Sequence, residues 1–166
     1  MAEIQNREVR RAEPLTMYEV VFPSDLNIVG TMFGGYVVAL MDKCASMCAA
    51  RWCKRVPVTA SIDAIQFITP IRLGQLAEAV ARIVYVGSTS CLAKVEVYAQ
   101  DLQTADRFFC CEGYFTMVTL DANSKPVILP LIPVESEDEK RDWAIAAEIK
   151  EAMLRRRDQA RSSQPL

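Results

Sequence analysis

Between Gly30 and Cys53 the chain reads GTMFGGYVVALMDKCASMCAARWC, an apolar run that opens on Gly34-Gly35 and carries one acid, Asp42. A buried carboxylate without a partner is costly, so Asp42 must be neutralised, paired, turned to a solvated helix face or kept for chemistry. Glycines at a helix start leave unsatisfied amides open to an approaching group, because no Cβ stands in the way. Those amides sit at the positive end of the helix dipole and can polarise a carbonyl, while a carboxylate can activate water. The competing role for the glycine pair is a tight loop-to-helix turn packed on its neighbours. Histidine is absent, which removes every Ser-His-Asp triad, Cys-His pair and HExxH zinc site. Catalysis here must rest on carboxylates, hydroxyls, thiols, cations and backbone amides.

Asn27 and Thr31, in the loop before this run, offer polar side chains that can orient water or a carbonyl, or else build a turn and cap a helix. The cysteines are Cys44, Cys48, Cys53, Cys91, Cys110 and Cys111. None has CxxC spacing, and they read as buried reduced thiols rather than as a metal site or disulfides. Without a cationic partner, Cys44 and Cys48 are poor nucleophiles.

These groups need elements to hold them. Leu15 to Phe22 (LTMYEVVF) reads as a strand, and Pro23-Ser24-Asp25 starts a loop. Ala, Leu, Met and Cys without internal Gly or Pro predict a helix from about Gly34 to Trp52. Arg51, Lys54 and Arg55 gather at its C-terminal end, where cations suit the dipole. Four strands follow: Val58 to Ile68, Leu76 to Val86, Cys91 to Ala99 and Arg107 to Leu120. The third alternates most cleanly, with Cys91, Ala93, Val95, Val97 and Ala99 on one face and Lys94 and Glu96 on the other. Ser136-Glu137-Asp138-Glu139 is a capping-box signature that opens a second helix ending at Arg155-Arg156-Arg157. One strand, a long helix and four strands in meander predict an α+β fold, a largely antiparallel sheet packed on one helix. Its uncovered edges make pairing with a second copy plausible.

With 166 residues, 51% hydrophobic and 24% charged, one domain with a substantial core is expected. A net charge of −2 and a pI near 5.3 give no electrostatic reason to expect nucleic acid as a partner. The N-terminus lacks the apolar stretch of a signal peptide, and Asp42 and Lys43 interrupt the best candidate for a membrane span. No membrane association is expected, and a cytoplasmic location is.

Taken in order, Pro23-Ser24-Asp25, Asn27-x-x-Gly30-Thr31-Met32-Phe33-Gly34-Gly35, Met41-Asp42, Val58-Thr59-Ala60-Ser61-Ile62-Asp63, Phe67, Pro70-Ile71, Gly74 and Val86-Gly87-Ser88-Thr89-Ser90 resemble the cytosolic acyl-CoA thioesterases of the hotdog fold. The similarity extends from about residue 15 to the PVESEDEK segment. It implies a long central helix wrapped by a curved antiparallel sheet of about five strands, a side-by-side dimer and often a trimer of dimers. It divides the chain into a polar leader (1–14), a hotdog domain (15–134), a C-terminal helix (135–157) and a disordered tail (158–166). The implied activity is hydrolysis of acyl-CoA to free acid and CoA, with no cofactor, CoA being part of substrate and product. Two positions depart from many relatives, which carry His where Phe33 and Trp52 stand.

The resemblance assigns Asp42 as base or nucleophile and the Gly34-Gly35 amides as carbonyl-polarising donors, with Thr31 and then Asn27 as orienting groups. It places Gly87, Ser88, Thr89 and Ser90 along the CoA channel. By their charge, Arg51, Lys54 and Arg55 are candidates to meet its phosphates, the alternative being a plain solvated helix end, and Phe67 is a candidate to border the acyl pocket. Asp63 is expected to be structural. Gly34 and Asp42 are eight residues apart, about 12 Å along a helix, whereas both must come within about 3 Å of one reacting centre. Two antiparallel helices across a dimer can meet that demand, so composite sites are expected. A hotdog dehydratase, which usually needs His, and a non-catalytic acyl-CoA-binding regulator are the alternatives.

Overall fold

The computed structural model describes residues 7–162. The first part of the leader and the end of the tail, residues 1–6 and 163–166, lie outside them. Five strands form one antiparallel sheet: β1 (Leu15–Val20), β2 (Pro57–Phe67), β3 (Leu76–Val86), β4 (Ser90–Gln100) and β5 (Arg107–Thr119). Helix α1 (Gly34–Cys53) follows β1, and α2 (Glu137–Ser162) ends the described chain.

Helix α1 lies across the inner face of the sheet. Its buried residues, Val37, Leu40, Met41, Cys44, Ala45, Cys48, Ala49 and Trp52, follow the three-and-four spacing of a single helix face. They rest on a floor of small side chains, including Ala77, Ala79 and Ala81 on β3 and Ala93 on β4, all fully buried. Small residues on the sheet let the helix approach closely, and each large side chain buried between them contributes about 1.5–3 kcal/mol. The alternation expected in β4 is present, with Cys91, Ala93, Val95, Val97 and Ala99 all in the core. All six cysteines are free and buried. Helix α1 stops at Lys54, whose φ of 56° leaves the right-handed helical region. Trp52 is buried, and its indole N–H donates to the Arg10 carbonyl at 2.9 Å, tying the leader to the end of α1.

The strand order is β1-β3-β4-β5-β2, which corrects the expected four-strand meander. Only β3, β4 and β5 meander. Strand β2 sits at the far edge on β5, because α1 carries the chain across the sheet between β1 and β2. The return connection runs past the start of α1, where the Met32 amide donates to the Ile71 carbonyl at 2.8 Å and the Gly74 amide to the Val21 carbonyl at 3.0 Å.

The capping box of α2 forms as the sequence suggests: the Glu139 amide donates to Ser136 Oγ at 3.1 Å, and the Ser136 amide to Glu139 Oε2 at 2.9 Å. The helix does not stop at Arg157 but continues to Ser162, so residues 158–162 are helical rather than part of a disordered tail. Helix α2 packs on the outer face of the sheet, with Trp143 against Tyr85 (ring centroids 4.6 Å apart) and Ala146 buried beside Val84, Leu92 and Tyr114. A charged network lies beneath it. Lys94 is within 3.2 Å of Glu112, 3.4 Å of Glu96 and 4.0 Å of Asp142. Burial works against the Lys94 charge, yet the surrounding Tyr114, Glu96 and Glu112 outweigh it and raise its pKa.

Candidate active site

The start of α1 is built to leave donors unused. Its N-cap is Phe33, which offers no side-chain cap. The amides of Tyr36 and Val37 turn back to the Phe33 carbonyl at 2.9 and 3.2 Å, and the Phe33 amide donates to the Asp25 carbonyl at 2.8 Å. Among the described residues, the amides of Gly34 and Gly35 have no protein acceptor. At position 35 a Cβ would lie 2.5 Å from the exposed Phe33 ring, which would have to turn aside. At position 34 it would lie 3.5 Å from the Phe67 ring, so Phe67 flanks the free amides.

These amides stand beside a pocket of about 330 Å³ whose lining includes Asn27, Thr31, Gly34, Val37, Phe67 and Cys111. Asn27 constructs the loop above it. Its Oδ1 accepts from the amides of Val29 (3.0 Å) and Thr31 (3.1 Å), and its Nδ2 donates to Thr31 Oγ1 at 2.8 Å. That bond uses one amide hydrogen of Asn27 and leaves the Thr31 hydroxyl hydrogen free for a ligand or water. Turn building by this pair therefore leaves a hydroxyl hydrogen available to a ligand.

Asp42 is half-buried on α1, two turns beyond the glycines. Thr59 Oγ1 on β2 donates to its Oδ1 at 2.6 Å. Thr59 is the residue that sequence reasoning left out of the site. It belongs to the quoted VTASID stretch, but nothing in that stretch says which face of the strand it occupies. The register explains the geometry: Thr59 faces Met117 and Ser61 faces Thr116, so Ala60 is an extra, bulged residue. The bulge places Thr59 on the inner face toward α1 and Ser61 on the outer face. There Ser61 donates to Asp63 Oδ2 at 2.9 Å, and Arg156 of α2 pairs with the same carboxylate. Asp63 thus has a structural role.

Within one chain the remaining candidates lie at the other end of α1, about 30 Å away for a helix of 20 residues. Gly87, Ser88, Thr89 and Ser90 form the β3–β4 turn, where the Gly87 amide donates to the Ser90 carbonyl at 2.8 Å. The Arg7 guanidinium donates to the Gly87 and Leu129 carbonyls at 2.6 and 2.7 Å, and Arg55 lines an open hollow beside it together with Arg10. Arg51 and Lys54 are exposed at the same end. The single chain therefore gathers Asn27, Thr31, Gly34, Gly35 and Phe67 in one place, and holds Asp42 and the cationic end of α1 apart from it.

The thiols do not compete for the chemistry. Burial pushes Cys44 and Cys48 up to about 11 and Cys111 up to about 12, so all three remain protonated and weakly nucleophilic near neutrality. Among the described residues, no helix is long and apolar enough to cross a membrane.

Residues 29–105 match the family model described as the thioesterase superfamily. The uncharacterized acyl-CoA thioester hydrolase YkhA of Bacillus subtilis is 38% identical over 72% of this chain and 69% of its own length. The chain belongs to the thioesterase superfamily. Its fold is that superfamily's hotdog fold. A hexameric acyl-CoA thioesterase, solved without ligand, superposes with a TM-score of 0.84 at 32% identity, covering 90% of this chain and 97% of that one. The acyl-CoA hydrolase of Staphylococcus aureus, solved with butyryl coenzyme A, gives 0.83 at 30% identity over 90% and 92%. The same hydrolase has been solved with an asparagine, an aspartate or a threonine replaced by alanine, and these superfamily members superpose with TM-scores of 0.87, 0.87 and 0.83.

Proposed function

We propose that this protein hydrolyses acyl-CoA thioesters at composite sites formed between two antiparallel copies of α1. One chain supplies the Gly34 and Gly35 amides and the pocket; the facing chain supplies Asp42. The observation that carries the proposal is the pair of unused amides at a Phe-capped helix start, on the same helix as a carboxylate fixed by a single hydroxyl donor. Two such helices running in opposite directions bring each Gly34 opposite the other chain's Asp42. Apolar side chains left exposed on α1 and the edge strand β2, namely Tyr36, Met47, Val58 and Ile62, support pairing on that side, because an uncovered strand edge with apolar neighbours favours another copy. The substituted asparagine, aspartate and threonine of the S. aureus hydrolase are spaced along that chain as Asn27, Asp42 and Thr59 are here.

The reaction follows from these placements. The thioester oxygen accepts from the Gly34 and Gly35 amides. Thr59 occupies one oxygen of Asp42, and the other takes a proton from an attacking water. The resulting oxyanion is held by the two amides, and its collapse breaks the C–S bond and releases the CoA thiolate, which takes the proton back from Asp42. Each charge that forms meets a group already in position, which is the condition for large electrostatic catalysis.

The same packing assigns the cations. Arg51 lies nine residues beyond Asp42, about 13 Å along the helix, on the side where the CoA arm leaves the facing chain's pocket. Arg51, Lys54 and Arg55 thus suit its phosphates, with the Gly87–Ser90 turn alongside. A cytoplasmic trimer of dimers completes the reading, supported by the similar hexameric thioesterase.

The test is loss of ultraviolet thioester absorbance over acyl-CoAs from acetyl to palmitoyl, for wild type and Asp42→Asn. Turnover by the wild type and a fall of about 100-fold or more in the folded variant are expected, the range for losing a general base. Tight binding without turnover by the wild type at every length would establish the regulator instead.

A further inference from the structure

The proposed chemistry leaves open what holds the nucleotide end of CoA, and the leader bears on that question. Arg7 enters the fold through carbonyls alone. Its Nε donates to the Leu129 carbonyl at 2.7 Å, and its Nη2 to the Gly87 and Pro130 carbonyls at 2.6 and 3.2 Å. Among the described residues no carboxylate pairs with it, and its Nη1 has no acceptor. Burial pushes its pKa down, as it does for a cation with no anion beside it. The bond to Gly87 pins the β3–β4 turn. Two carbonyls of that turn are spent, Gly87 on Arg7 and Ser88 on the Leu129 amide at 2.9 Å. Among the described residues the amides of Ser88 and Thr89 have no protein acceptor. Spent acceptors beside free donors suit an anion.

Resting on the hydrolase reading above, we infer that Arg7 is a CoA-binding residue, which clamps the β3–β4 turn and meets a phosphate of CoA in the hollow it shares with Arg10 and Arg55. The surroundings argue for the anion. Glu8 and Asp121 also border the hollow, but both are engaged. Glu8 pairs with Arg10 at 2.6 Å, and Asp121 accepts from the amides of Asn123 and Lys125 at 2.8 and 2.9 Å. Among the described residues Arg55 has no carboxylate partner, and Arg51 and Lys54 are exposed at the same end without one. A chain of net charge −2 thus gathers unpaired cations around one turn, where a phosphate would neutralise them. The reach argues for CoA. Arg10 Nη1 donates to the Trp52 carbonyl at 2.8 Å, which fixes the leader on α1 ten residues beyond Asp42, about 15 Å along the helix. An extended pantetheine arm spans that distance from the thioester to its first phosphate. A forked guanidinium with one amino group still free can take a phosphate while it keeps the turn in place.

The experiment takes the acyl group that the wild type turns over fastest in the acetyl-to-palmitoyl series. It measures kcat/KM for that group on CoA and on N-acetylcysteamine, a thiol that ends before the first phosphate, with the wild type, Arg7→Gln and Arg7→Lys. For Arg7→Gln the CoA-to-N-acetylcysteamine ratio should fall about tenfold or more, the range for losing a hydrogen bond to a charged group. The change should sit in KM rather than kcat. Arg7→Lys keeps the charge without the fork, and its ratio should fall between the other two. Raising the ionic strength should lower the wild-type ratio and move the Arg7→Gln ratio less. An Arg7 that only braced the turn would slow both thioesters alike. An unchanged ratio, whether both rates hold or both fall, would therefore overturn the inference and leave the hydrolase reading intact. Should Arg7→Gln not fold, Arg7→Lys takes its place, with a smaller fall in the ratio expected. Absence of wild-type turnover on every acyl-CoA of the series would overturn the hydrolase reading instead. Calorimetry with CoA itself then decides the inference: binding about tenfold weaker in the variant supports it, and an equal Kd counts against it.

Discussion

Asp42 accepts the Thr59 hydroxyl through one oxygen at 2.6 Å, and that bond divides the carboxylate into an anchored half and a free half. A short O–H···O⁻ bond of this kind is among the stronger side-chain hydrogen bonds. In the proposed composite site, its role is to keep the free oxygen aimed across the interface rather than into solvent. Thr59→Val keeps the shape and removes the donor, so kcat is expected to fall by about 10- to 100-fold with little change in KM. Thr59→Ser should restore most of it. Steady-state kinetics on the three proteins check this, and a Val variant with wild-type kcat would show that Thr59 only packs. Asp42 stands out as a candidate through its isolation in an apolar run. Thr59 was not, because a strand threonine is ordinary and its value depends on a face that the local sequence does not state.

At the scale of elements, the helix and all five strands were legible because each has a clear period or composition: three-and-four spacing in α1, strict alternation in β4, β-branched and aromatic residues in β1. Their arrangement was less so. Neighbours in sequence are usually neighbours in a sheet, and β2 breaks that habit because α1 spans the sheet before β2 begins. The end of α2 was misread for a related reason. Three arginines suit a helix terminus, but Asp158 to Ser162 contains neither Gly nor Pro to stop the helix, so it continues. For the proposed chemistry the bulge at Ala60 matters most, since it alone lets β2 send Thr59 inward while Ser61 serves the outer face. Deleting Ala60 removes the extra residue and turns Thr59 away from α1. The deletion should fold, because β2 is an edge strand, and should show the kinetics of Thr59→Val. Circular dichroism together with kcat decides it, and full activity in the deletion would mean the bulge does not set the site.

For the whole molecule, the buried thiols predict how stability responds to alkali. In the unfolded chain a cysteine ionises near its ordinary value of 9.0, whereas in the fold burial raises Cys44 and Cys48 to about 11 and Cys111 to about 12. Between these values the unfolded state releases protons that the folded state retains, so stability falls as pH rises. Their stabilising effect is fully present below about pH 9 and is lost progressively toward pH 11–12. Melting temperature should therefore decline steadily above about pH 9, and less steeply in a Cys44→Ala/Cys48→Ala variant. The proposed division of each site between two chains also belongs to this scale, since one helix with a rise of about 1.5 Å per residue cannot bring Gly34 and Asp42 to one carbonyl. The decisive measurement co-expresses two differently tagged inactive chains, Asp42→Asn and Gly35→Val, and assays the doubly purified mixed oligomer. The composite account predicts activity approaching half that of the wild type in mixed dimers, because one site then combines intact glycines with an intact Asp42. If the mixed oligomers are as inactive as either parent, the carboxylate and the amides do not meet across the interface.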